Sequence, residues 1–337
     1  MSGVAWTEYF DAVAAGDRTR ALEVVRRYQD AGASPMQIMS EVIALAQTRV
    51  GELWAADTWS VAQEHAATAV SESVLSVLGS QIPPPADPAC PVIVTCVEQE
   101  WHALPALMVA EHLRSAGIPV SYLGANASAE HLVRHVHDVE ARAVALSCSL
   151  SASLPRVRRH IEAVTATGTP VLVGGAAFDP AGRRASVLGA TSYTLSGELA
   201  PDAVRGLPAA VTPAAPLTHE GADEGFAVHA EREAITMRLH DRVKASRTTY
   251  DLRDLISGWQ HALADHLPHL VGALAGALVA GDRTVLAQSV TWLDDVMGHR
   301  DGPDGITRSV VAELQTLMSE HPVASRMLSG VLGTARA

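Results

Sequence analysis

Val92-Ile93-Val94-Thr95-Cys96-Val97-Glu98-Gln99-Glu100-Trp101-His102-Ala103-Leu104-Pro105 is the stretch on which the fold turns. Residues 92–96 form an unbroken run rich in β-branched side chains, as expected of a strand buried on both faces. The run stops at a polar loop, and helical spacing follows over 106–115. The same alternation continues outward: strands over 119–123, 143–147, 170–173 and 191–195, and helices over 129–139, 154–165 and 200–205. Strands alternating with amphipathic helices predict a Rossmann-like parallel sheet over residues 90–207, covered on both faces. Ligands of such sheets bind outside the carboxyl ends of the strands, where the polar loop lies.

Two helical blocks flank this α/β unit. Residues 1–81 read as a helical bundle, with helices over 36–53 and 61–78 and an N-cap at Ser34 followed by Pro35. The cluster Pro83-Pro84-Pro85-Ala86-Asp87-Pro88 marks a linker, and a second soft segment over 208–218 precedes an all-helical block over 219–337. Helices are predicted there over 222–245, 252–279, 283–297, 304–320 and 322–332. Ala-Gly-Asp-Arg-Thr occurs at 15–19 and again at 280–284, a shared turn in which Gly ends one helix and Asp caps the next.

A chain of 337 residues that is 48% hydrophobic predicts two or three domains with substantial cores. No apolar run reaches the length of a membrane span and the N-terminus lacks a signal pattern, so a cytoplasmic protein is expected. The net charge of −12 argues against direct nucleic-acid binding. Cys90, Cys96 and Cys148 form no disulfide framework, and the last two fall in apolar runs.

Glu100-x-His102 puts a carboxylate and an imidazole in one loop, where the carboxylate can accept one ring N–H and raise the basicity of the other nitrogen as a metal ligand. The other reading is an exposed loop histidine. At the same sheet edge, Ser147-Cys148-Ser149 supplies hydroxyls and Gly174-Gly175 allows close approach of a large ligand. In the first block, Trp54 is followed after nine residues by Glu64-His65. As ordinary structure these are a core tryptophan, a surface glutamate and a helix-end histidine.

The α/β unit resembles the cobalamin-binding domains of methionine synthase and the corrinoid proteins, whose pattern is an acid-x-His-x-x-Gly loop, a Ser-x-Leu strand end and a later Gly-Gly. The resemblance implies that His102 replaces the cofactor's benzimidazole beneath cobalt, Glu100 supports it, and Ser147, Gly174 and Gly175 line the slot for the nucleotide tail. Two positions depart: the loop glycine is Pro105 and the Ser-x-Leu leucine is Ser149. Trp54, Glu64 and His65 ahead of such a domain resemble the CarH-type light receptors. That resemblance implies adenosylcobalamin as cofactor, with Trp54 covering the adenosyl group, Glu64 bonding its ribose and His65 taking the upper cobalt position after light. CarH-type proteins begin with a DNA-binding domain. Residues ahead of Trp54 are all needed for the bundle, so output elsewhere is expected.

The third block brings Trp259, His261, His266, His269, Trp292, His299 and Arg300 into an aliphatic region, and Pro268 is expected to kink a helix and open a cavity. Its composition is globin-like, and the three-block order resembles the photocobilins, which implies a bilin such as biliverdin near Trp259, His266 and His269, with Arg247 and Arg300 as polar partners. No cysteine lies beyond Cys148, so a non-covalent bilin is expected. Haem and a plain dimerisation bundle are the alternatives. The resulting expectation is a non-enzymatic, homo-oligomeric light sensor whose assembly depends on light. A corrinoid protein of a methyltransferase system, or an interaction module using cobalamin structurally, are the rivals. The output partner is not indicated.

Overall fold

The computed structural model describes residues 5–245 and 258–334. Helices α1 (Ala5–Ala14), α2 (Arg18–Asp30), α3 (Pro35–Ile38), α4 (Ala44–Ala55) and α5 (Val61–Gly79) form the N-terminal bundle. Local chemistry starts them: Asp17 accepts from the Arg20 N–H, and Ser34 with Gln37 and Ser60 with Gln63 make capping boxes. The expected helix over 36–53 is present but passes through a π-helical turn, Met39–Ile43. No proline or glycine announces that turn, and Ser40 within it and Ala44 after it line the cavity described below. Tyr9, Ile38, Met39, Ile43, Leu75 and Leu78 fill the bundle core, which is continuous with Leu104 of the α/β unit.

Five strands, β1 (Val92–Val97), β2 (Val120–Ala127), β3 (Ala143–Ser147), β4 (Val171–Gly174) and β5 (Ser192–Thr194), pair in the order β2-β1-β3-β4-β5. All pairings are parallel. Helices α6 (Ala103–Ser115) and α10 (Ala200–Arg205) cover one face, and α7 (Ala129–Asp138) and α8 (Leu154–Thr165) the other. β2 runs four residues further than its apolar pattern, because two register shifts carry the pairing with β1 on to Ala127. Gly124 and Asn126 take left-handed backbone there, which an alternation rule does not read. The short helix α9 (Arg183–Val187) was not expected from the sequence.

The third region comprises α11 (Ala222–Ala230), α12 (Arg232–Ala245), α13 (Gly258–Ala280), α14 (Arg283–His299), α15 (Ile306–Leu317) and α16 (Pro322–Thr334). The single helix expected over 222–245 is two helices, broken at Glu231. The predicted start of the next helix at 252, and Arg247, lie outside the described residues. The repeated turn behaves alike in both copies: Gly16 and Gly281 have positive φ, and Asp17 and Asp282 cap the following helices.

α13 is long and apolar enough to cross a membrane by length and composition, yet it is mostly buried as the central helix of its region. It also lies directly on the α/β unit. A Cβ on Gly276 would sit 2.2 Å from the Ser151 carbonyl oxygen, and one on Gly272 2.6 Å from the Ala152 Cβ. Leu267, Leu270, Val271 and Leu274 therefore share one core with Ile93, Val144, Leu146 and Val173 of the sheet. A soft segment joins the two regions in sequence, and their buried apolar side chains form one cluster.

Candidate functional site

β1 ends in a loop that turns through Gln99, at a left-handed φ of 61°, and delivers Glu100 and His102 to the carboxyl edge of the sheet. Asn126 at the end of β2 fixes that turn: its Oδ1 accepts from the Gln99 N–H at 2.8 Å, and its own N–H donates to the Glu100 carbonyl at 3.1 Å. Glu100 is fully buried. Its Oε2 accepts from the backbone N–H groups of Ser149 and Leu150 at 2.9 and 3.0 Å, and its Oε1 pairs with His102 Nδ1. Burial pushes this carboxyl up, but the hydrogen bond and charge of His102, with the two N–H groups, more than offset it and hold the pKa below its ordinary value. His102 moves the opposite way, raised first by its bond to Glu100 and further by the charges of Glu100 and Glu64.

With Nδ1 engaged by a carboxylate, Nε2 is the ring nitrogen left for a metal. The His102 side chain is 55% exposed. His102 also stands at the N-cap position of α6, without a side-chain capping bond, and Pro105 falls in the first turn, where its missing N–H leaves no intrahelical bond unmade. Ser149 contributes a backbone N–H to Glu100, a role indifferent to the serine standing where leucine was expected.

Beside this loop a cavity of about 340 Å³ opens along the carboxyl ends of β3, β4 and β5. Ser147, Gly174, Gly175 and Thr194 line it from the sheet, Pro105 and His112 from α6, and Ser40 and Ala44 from the bundle. Gly175 has φ 113°, and a Cβ there would fall 2.3 Å from the Cys148 carbonyl oxygen. The Gly-Gly pair thus serves a close backbone approach that larger residues would block. Ser40, His112 and Thr194 had no signal in the sequence, because they reach the slot from three separate elements.

On the bundle side, Glu64 accepts from Thr68 Oγ1 at 3.0 Å and lies 2.9 Å from His65 Nδ1. Thr68 also bonds Gln47, Gln47 donates to Ser71, and the Tyr9 hydroxyl donates to Ser71, so a polar chain anchors Glu64 in the bundle core. His65 is exposed, with Nδ1 also 2.7 Å from its own helix's Val61 carbonyl.

Trp54 has an unexpected set of neighbours. Its ring stacks on Trp292 of α14 with centroids 6.1 Å apart and meets His266 of α13 edge-on at 5.9 Å. The Arg300 guanidinium lies over the same ring, donates to the carbonyls of Trp54 and Ala55, and pairs with Asp57. Arg300, expected as a polar partner for a bilin, is therefore occupied in holding residues 54–57. His266 is buried and its Nδ1 has no partner; burial, then the charges of His269 and Arg300, lower its pKa to about 4. Trp259 is buried two turns earlier on the same helix. His269 is 6.0 Å from His266, at a second cavity beside Pro268.

Comparison with known proteins accords with this geometry. Residues 91–205 and residues 6–78 each match a family described as B12 binding domain. Over 179 residues, 49% of this chain, the sequence is 33% identical to the HTH-type transcriptional repressor CarH of Myxococcus xanthus. That match spans 56% of the repressor, so the chain covers about half the length of this curated relative. The fold resembles the monomethylamine corrinoid protein of Methanosarcina barkeri (TM-score 0.52, 16% identity, 59% of this chain and 96% of that one). A cobalamin-binding protein from Desulfitobacterium hafniense is also similar (TM-score 0.31, 20% identity, 58% and 94%). The bundle and the sheet are together a cobalamin-binding region, and the slot and the carboxylate-backed imidazole fit that ligand.

Proposed function

We propose that the chain senses light through adenosylcobalamin held between the bundle and the sheet, with His102 as the lower cobalt ligand and His65 as the upper ligand after illumination. The observation that carries the reading is the Glu100–His102 pair, in which a fully buried carboxylate locks the imidazole by Nδ1. Neutral imidazole is a good cobalt ligand, and a carboxylate behind it strengthens the donor. The cavity lined by Ser147, Gly174 and Gly175 would take the nucleotide tail. When bound, the cofactor supplies a cobalt–carbon bond that light breaks. Trp54 would exchange its ring contacts with Trp292 and Arg300 for the adenine, and the anchored Glu64 would accept ribose hydroxyls. His65 Nε2 is available once the upper face is vacated.

A change of ligand alters structure only through differential affinity for two arrangements. Trp54 is held by Trp292, His266 and Arg300, so movement of the bundle would reach the third region directly. A light-dependent change of oligomeric state is the readout that follows. We extend the reading to a second chromophore in the third region, a non-covalent bilin near Trp259, His266 and His269 with haem as the competitor; the unpartnered Nδ1 of buried His266 is the polar group left for it.

Spectra with adenosylcobalamin before and after green light test the main reading. The parent should change irreversibly on illumination. His102→Ala should bind cobalamin more weakly and lose the histidine-ligated spectrum, and His65→Ala should respond to light but end at a different spectrum from the parent. A holoprotein indifferent to light would leave the methyl-transfer corrinoid role instead. Biliverdin and haemin, each followed through native desalting, test the third region.

A further inference from the structure

A second cavity, of about 230 Å³, lies where the third region meets the loop that carries His102. Trp101, Leu150, Ala152 and Pro268 give it apolar walls, and Arg156 and Arg232 a cationic end, with His269 beside them, its pKa lowered by burial and by Arg232. Arg156 is 7% exposed, an unusual burial for a guanidinium. Among the described residues its side-chain partner is the neutral amide oxygen of Gln99, which also accepts from Arg232 at 3.3 Å. Buried cations ordinarily have an anion beside them. Here, in a chain of net charge −12, two guanidiniums share one amide, and Glu98 is the carboxylate near enough to be felt by Arg156. The adjoining His229 has a buried Nδ1 without a partner, and burial, then Arg156, Arg232 and Arg159, lower its pKa to about 4, as expected of a positive pocket.

We infer that this seam binds an organic carboxylate, its oxygens on Arg156 and Arg232 and its apolar part against Trp101, Leu150 and Pro268. A planar guanidinium pair matches carboxylate oxygens better than a single amide oxygen does. The ligand would compete for the groups that hold Gln99, one residue from Glu100, and so bear on the lower-ligand loop. The carboxylate belongs either to a small free acid or to an acidic arm of a chromophore held in the third region.

Calorimetric titration of the full chain with benzoate, and with benzamide as its uncharged analogue, tests the assignment without cobalamin or bilin, so its failure is separate from that of the light-sensing reading. Benzoate should bind and benzamide should not. Arg156→Gln and the more exposed Arg232→Gln should each weaken benzoate roughly tenfold or more, the loss of a charge-assisted hydrogen bond. Should Arg156→Gln fail to fold, Arg232→Gln alone decides. Equal binding of benzoate and benzamide, no benzoate binding, or undiminished binding in Arg232→Gln would overturn the proposal. Biliverdin against its dimethyl ester then separates the sources: ester binding weakened, with benzoate displacing biliverdin, assigns the carboxylate to the chromophore, and equal binding of both assigns it to a free acid.

Discussion

Glu100 shows how much one residue carries. It accepts four hydrogen bonds from a fully buried position, and a glutamine there would accept at one oxygen while turning an NH2 toward backbone donors. Glu100→Gln should destabilise the cobalamin-free protein by about 2–3 kcal/mol. Its dependence on pH follows from two opposite shifts. The carboxyl is lowered from 4.5, so its contribution is complete above that value and is lost as pH falls through the lower folded value. The imidazole is raised from 6.5, so its contribution is complete below 6.5 and is lost as pH rises through the raised one. The gap between parent and variant in urea unfolding should therefore be widest between these two values and narrow on either side. Glu100 and His102 were legible as neighbours in one loop. Ser149 and Leu150, which hold the carboxylate, were not, because they come from a strand end about fifty positions away and act through backbone groups any residue supplies.

At the scale of elements, two of the contacts that dock the third region set its fit on the α/β unit. Gly276 lets α13 touch the turn Ser151–Ser153, the turn that directly follows the donors to Glu100. Gly276→Val would drive a branched side chain into the Ser151 carbonyl, and a loss of about 2–3 kcal/mol in unfolding free energy is expected, with weaker cobalamin binding as the loop shifts. The other contact is Arg184 of α9, 4% exposed at its side chain, which binds Asp282 at 2.8 Å together with Thr284, Gln288 and the Ala177 carbonyl. Burial pushes the Asp282 carboxyl up, but Arg184 and Thr284 more than offset this and hold it below 3.8. Asp282→Asn should destabilise by about 2 kcal/mol at neutral pH. The difference should shrink in melts below pH 3.8 as the parent's carboxylate is protonated through its lowered value. The repeated Ala-Gly-Asp-Arg-Thr turn foretold the cap at Asp282, while its ion pair depended on α9, a helix too short to leave a periodic signal.

Across the whole molecule, the turn at residues 54–57 joins the bundle to the third region, since Arg300 and Trp292 grip it from the far end of the chain. Arg300→Ala should raise hydrogen exchange at 54–57 and leave exchange in the sheet strands unchanged; protection equal to the parent's would show that the grip is not limiting. Trp292→Ala should leave cobalamin binding intact but reduce the effect of light on oligomeric state, as read by gel filtration. The sequence by itself determined the local elements: the caps at Ser34 and Asp282, the buried strands, the linkers and the Glu100-x-His102 loop, since each rests on propensities and hydrogen bonds within a few residues. Tertiary structure alone decided that α13 completes the core of the sheet, that Trp54 meets Trp292, and that Arg156 and Arg232 share one amide. These groups lie from tens to hundreds of positions apart, and only burial of a common apolar surface brings them together, which no local pattern records.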